Sequence, residues 1–235
     1  MSKTIYRAEE RGFANHGWLK THHFFSFANY YDEERMGFGL LRVLNDDFVE
    51  PGMGFGTHPH DNMEIISIPL EGIMAHKDSQ GNEITIKPGD IQLMSAGSGL
   101  THSEYNYSRD HKLNFLQIWV FPDKYNTQPG YLQRSFQYPL NSLVLIVSPE
   151  GTDNSLPIKQ KALFYLGKFN KGKSQAYQKH LASNGIFIFV IEGKVTVDKE
   201  SLHKRDAIGI EDTDKIIIHF EENTFILLAE VPMMK

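Results

Sequence analysis

His58 and His60 stand two residues apart in Gly52-Met53-Gly54-Phe55-Gly56-Thr57-His58-Pro59-His60-Asp61-Asn62-Met63-Glu64. His102 and Glu104 repeat that spacing in Gly97-Ser98-Gly99-Leu100-Thr101-His102-Ser103-Glu104-Tyr105-Asn106. Residues at i and i+2 of an extended strand project to the same face, so each pair presents two donor groups side by side. If both strands face the interior of one barrel, three neutral imidazoles and one carboxylate converge. That set suits a first-row divalent metal with open positions. Glu64 competes for the carboxylate place, but the four extended residues after His60 span about 13 Å, so it reaches a metal only if the chain bends there. With no cysteine in the chain, disulfides, thiolate-bound zinc or iron–sulfur sites and thiol nucleophiles are excluded. Metal or acid–base chemistry must come from the 11 His and the 29 Asp and Glu.

The elements that must position these residues read as strands. The 235 residues are 40% hydrophobic and 12% aromatic with a net charge of −5, a globular composition. Apolar runs at 40–44, 64–70, 91–94, 113–121, 162–169, 186–191, 207–210 and 225–231 are separated by turn chemistry such as Glu71-Gly72, Lys87-Pro88-Gly89-Asp90 and Pro149-Glu150-Gly151. No segment carries a sustained 3.6-residue stripe, so an all-β sandwich or barrel is predicted. A weak internal repeat relates 65–94 to 187–210, through Glu71-Gly72 and Glu192-Gly193. Counting back from Gly193 as His58 and His60 lie from Gly72 gives Lys179 and Leu181, with His180 one register off. The second copy should therefore bind no metal.

Other candidates read as structural. His22 and His23 are adjacent and point opposite ways on a strand. His76 reads as a half-exposed strand residue, and Gly52, Gly54 and Gly56 let backbone pack closely before the ligand strand, since no helix or Lys-Ser/Thr follows to make a phosphate loop. The acidic balance leaves no basic footprint for nucleic acid, and no apolar run approaches the length of a membrane helix. Residues 1–12 carry charges and no apolar segment, so a cytoplasmic protein is expected.

At these motifs the chain resembles the cupins, and more closely the pirin family. The resemblance rests on Asn15-His16-Gly17-Trp18, Phe25-Ser26-Phe27-Ala28-Asn29-Tyr30-Tyr31-Asp32, Phe55-Gly56-Thr57-His58-Pro59-His60, Leu70-Glu71-Gly72, Pro88-Gly89-Asp90, Met94-Ser95-Ala96-Gly97 and His102-Ser103-Glu104. It implies two tandem cupin (jelly-roll) barrels: a metal-binding domain over 1–135 and a degenerate domain without metal over 136–235. It further implies His58, His60, His102 and Glu104 as ligands of one metal, iron being expected and manganese, nickel, copper or zinc the alternatives. Glu64 is left beside the site or as a substitute ligand. The implied activity is quercetin 2,3-dioxygenation, with a flavonol and O2 as substrates and Glu104 as both ligand and base. The resemblance equally allows a redox-responsive regulator that binds a protein partner, and other cupins are isomerases or epimerases.

Overall fold

The computed structural model of the protein describes residues 2–234. The alternating runs become strands: among the described residues there are four sheets of seven, four, seven and four strands, with two single-turn 3-10 segments at Ala8–Glu10 and Thr152–Asn154. No helix is long and apolar enough to cross a membrane. In the first barrel the sheet order is Gly130–Ser135, Asp90–Ser95, Glu64–Glu71, Leu113–Val120, Leu41–Val49, Leu19–His23, Gly12–Asn15. Against it packs the sheet Gly54–His60, Leu100–Asn106, Met74–Asp78, Glu83–Ile86. The second barrel repeats this layout with Ala207–Glu211, Asn184–Glu192, Thr224–Pro232, Leu163–Phe169 and Ser142–Ser148 opposed by Ser174–Gln178, Lys215–Phe220, Val195–Val197 and Glu200–Leu202. The faint sequence repeat is thus a duplicated topology. The chain's first strand, Ser2–Tyr6, pairs antiparallel with Ala207–Glu211 and extends the sheet of the second barrel.

Side-chain alternation decides where the core sits. Ile66, Ile68, Leu116 and Ile118 of the first large sheet meet Phe164, Phe187, Phe189 and Leu227 of the second in one buried cluster between the barrels. Their alternates Ile186, Ile188 and Val190 face the interior of the second barrel. Both faces of these strands are buried, which is why the sequence shows near-continuous apolar runs. Phe187, fully buried, touches the rings of Tyr6, Phe24, Phe25 and Phe38. Phe38 in turn lies against Gly185 and Gly209, where a Cβ would come within 2.7 and 2.6 Å of its ring. Phe187→Ala is therefore expected to cost about 3–5 kcal/mol of stability in urea unfolding. A loss under about 1 kcal/mol would show that this cluster does not hold the barrels together.

The first barrel's interior is different. His23, Asn45, Gln117, Ser67 and Gln92 are successive cross-strand partners, forming a polar row five strands wide. The row separates two small apolar clusters, one around Leu19, Val49 and Phe115 and one around Ile65, Met94 and Leu100. In the second barrel a single apolar core fills the same space.

Candidate metal centre

His58 and His102 are direct cross-strand partners on adjacent strands of the small sheet. With His60 they form a triangle of rings whose centroids lie 4.5–4.9 Å apart, and their donor nitrogens lie within 4.8 Å of one another. The register slips between His102 and Glu104, so that Gly56 and Thr57 bulge before His58. Gly54 lies against the backbone of Glu104 and Tyr105, where no Cβ would fit. Gly54 thus has the role expected of it, whereas a Cβ at Gly52 would meet nothing and one at Gly56 only the Tyr105 hydroxyl at 3.9 Å, so close backbone packing does not explain those two. His58 Nδ1 donates to the Gly56 carbonyl at 2.8 Å, which leaves Nε2 with its lone pair. Neither ring nitrogen of His102 has a hydrogen-bond partner, although the residue is buried. Orphaned buried nitrogens are costly unless something binds them.

Burial, and then the neighbouring imidazoles, lower His60 to about 4 and His102 to about 3, so both rings are neutral donors at neutral pH. Because both take protons more readily unfolded, near 6.5, than folded, their contribution to stability is present above about pH 6.5 and is lost as pH falls toward 4 and 3. The melting temperature of the metal-free chain is expected to drop across that window and to hold to lower pH once a divalent metal is added. A flat profile from pH 7 to 4 would contradict this.

Glu104, two residues beyond His102 on the same strand face, is also buried. Its Oε2 accepts from Gln117 Nε2 at 2.8 Å, and its Oε1 from Ser67 Oγ at 3.2 Å and Gln92 Nε2 at 3.3 Å. The polar row is thus the seat of this carboxylate. Glu104 shares a second donor cluster with His102 and His76. His76 departs from expectation: it is 1% exposed, with its ring 5.4 Å from that of His102 and its Nε2 on Asp78 at 3.1 Å. It lies opposite Glu104 on the neighbouring strand, which turns it inward.

Glu64 belongs to neither donor cluster. It shares strand parity with Ile66 and Ile68, whose face packs on the second barrel, and its Oε2 accepts from Ser95 Oγ at 2.8 Å and from the Lys159 backbone N–H at 3.2 Å. The chain does turn after His60, at Asn62 with φ +48, but the turn carries Glu64 to the opposite sheet. His23 also departs from the bland reading, because it lines the same cavity as the candidates His58, His60 and Glu104.

That cavity encloses about 590 Å³ and opens beside His58, His60 and Glu104. Trp18, Phe27, Phe55 and Trp119 supply its aromatic wall. A larger groove of about 880 Å³ runs along Thr127 and Lys159, away from all four metal-site candidates. In the second barrel, Ile216 and Ile218 occupy the positions of His102 and Glu104, and Tyr177 pairs with Ile216 as His58 pairs with His102. Strand pairing thus selects Tyr177, two residues from Lys179, because the connecting loops differ in length. The buried Glu230 there is fully engaged by the Tyr177 hydroxyl, the backbone N–H groups of His180 and Leu181, and Asn184.

A family model described as Pirin matches residues 6–120, and one described as the quercetinase C-terminal cupin domain matches 145–231. A curated relative, the quercetin 2,3-dioxygenase of Escherichia coli K12, is 42% identical over 228 residues, covering 97% of this chain and 98% of that protein. The chain belongs to the pirin family. A pirin-like protein of Caulobacter vibrioides is 36% identical across 94% of the chain and 96% of its own length. The solved structure of the bacterial pirin YhhW of Escherichia coli in complex with nickel(II) superposes with a TM-score of 0.95 at 40% identity, covering 99% of this chain and all of that one. The two-barrel cupin architecture is therefore that of the pirins. Within this pirin, sequence reasoning passed over Ser67, Gln92 and Gln117. The available signal was a lone polar residue inside each apolar run, as in Ile65-Ile66-Ser67-Ile68, Ile91-Gln92-Leu93 and Leu116-Gln117-Ile118.

Proposed function

We propose that this pirin is a metal-dependent flavonol 2,3-dioxygenase, with His58, His60, His102 and Glu104 holding one divalent metal, iron, in the first barrel. The observation that carries the reading is the triangle of His58, His60 and His102, with the buried, hydrogen-bonded Glu104 sharing His102 in a second donor cluster, beside a cavity walled by aromatic rings. The name of the 42%-identical relative supports the reaction class. Support for metal binding comes from the unpartnered nitrogens of His102 and from the nickel(II) complex of the related pirin.

A bound divalent metal supplies Lewis acidity and open coordination positions for oxygen ligands. The chain supplies the rest. Trp18, Phe27, Phe55 and Trp119 offer flat apolar contact to a planar polyphenol and exclude water. Glu104, as base, takes the proton of the flavonol 3-hydroxyl, and Gln117, Gln92 and Ser67 fix its carboxylate for that transfer. One flavonol and one O2 then give a ring-opened ester and one carbon monoxide, the atoms balancing without a further reductant. Reconstituting metal-free protein separately with iron(II), manganese(II), nickel(II), copper(II) and zinc(II) tests the metal assignment. Turnover highest with iron at one ion per chain supports it, while equal binding of iron with turnover confined to another metal sinks the iron assignment.

A further inference from the structure

On the large sheet that floors the cavity, Thr21 and His23 lie directly across from Asp47 and Asn45 of the neighbouring strand. The four side chains share one face, all line the cavity, and each is 3–4% exposed. None belongs to a metal-donor cluster. His23 Nδ1 donates to Asn45 Oδ1 at 2.8 Å, which makes its Nε2 a bare acceptor, and burial keeps the ring neutral by lowering its proton affinity. Asp47 Oδ1 is buried with no hydrogen-bond partner, the Thr21 hydroxyl being the one side-chain donor that bears on the carboxyl group. The same face of this strand carries Val43 and Val49, so an apolar side chain at 47 would pack at no such cost. Two acceptors without donors, set in an aromatic cavity, await donors from a ligand.

We propose that His23 and Asp47, braced by Asn45 and Thr21, form a recognition wall for adjacent hydroxyl groups on the substrate ring remote from the metal. The assignment of that ring to a flavonol rests on the dioxygenase reading above; the wall itself rests on the unpartnered acceptors. Burial pushes the Asp47 carboxyl up to about 7, so both of its protonation forms are present at neutral pH, and each offers an acceptor oxygen. A hydroxylated ring satisfies the wall, whereas a bare phenyl ring leaves its acceptors buried and unpaired, the situation in which sites discriminate most strongly.

The test is anaerobic fluorescence titration of the metal-loaded protein with two flavonols, quercetin, which carries adjacent hydroxyls on its pendant ring, and galangin, which carries none. Wild type is expected to prefer quercetin at least about tenfold. Asp47→Ala should shrink that preference to within about threefold while keeping wild-type metal content and an equal or higher melting temperature, because it removes an unpaired buried group. Asp47→Asn, which keeps an acceptor oxygen, should retain most of the preference. The proposal is overturned if Asp47→Ala leaves the ratio unchanged, if it weakens both ligands equally with a lower melting temperature, or if wild type shows no preference. Oxygen consumption separates the two readings. Turnover of both flavonols with an unaltered ratio in the variant removes the wall and leaves the dioxygenase, and preference without oxygen consumption does the reverse.

Discussion

His102→Ala is expected to abolish metal retention and flavonol-dependent oxygen uptake together. His102 is the residue common to both donor clusters, lies between His58 and His76, and has two buried nitrogens with no protein partner. Removing an outer partner of a metal ligand costs roughly 10–100-fold in affinity, and loss of a direct ligand should exceed that. The same change relieves the metal-free chain of two orphaned polar atoms, so its melting temperature without metal should hold or rise. Elemental analysis alongside oxygen uptake reads both effects. A variant with one metal per chain and unimpaired uptake would exclude His102 from the site.

The second large effect is expected from Glu104→Gln, which keeps the shape of the side chain and removes its charge and basicity. Loss of a positioned base costs about 10²–10⁴-fold in rate. The substitution also disturbs the seat, because Gln117 and Gln92 both donate to the carboxylate and an amide nitrogen there would meet a donor. Anaerobic mixing with a flavonol should therefore no longer give the spectrum of the deprotonated flavonol, whatever metal remains. Full occupancy with full turnover in this variant would mean that Glu104 is neither ligand nor base.

Much of this arrangement was legible in the residues. The i, i+2 pairs His58/His60 and His102/Glu104 announce a shared strand face, and the structure brings those faces together through the direct pairing of His58 with His102. Turn chemistry and short apolar runs announce strands, and Glu71-Gly72 and Glu192-Gly193 announce the duplication. The rest depended on which strands become neighbours. His76 looked half-exposed because its inward orientation comes from pairing opposite Glu104, a partner 28 positions away in the chain and not inferable from local pattern. His23 looked structural because its cavity position is set by pairing with Asn45, a strand apart. Glu64 could be counted in residues from His60, yet parity against the second barrel, and not reach, decides where it points. The strand Ser2–Tyr6 carries nothing in its own sequence to say that it joins a sheet built some 200 residues later, with Tyr6 opposite Ala207.

The most direct test of the account is anaerobic purification with elemental analysis, followed by parallel measurement of oxygen uptake and carbon monoxide release on adding quercetin to wild type and to His58→Ala. One metal per wild-type chain, one carbon monoxide for each O2 consumed, and neither metal nor gas release in the variant are expected. One metal per chain with no oxygen consumed would contradict the dioxygenase and leave a metal-binding protein whose role lies in what it binds.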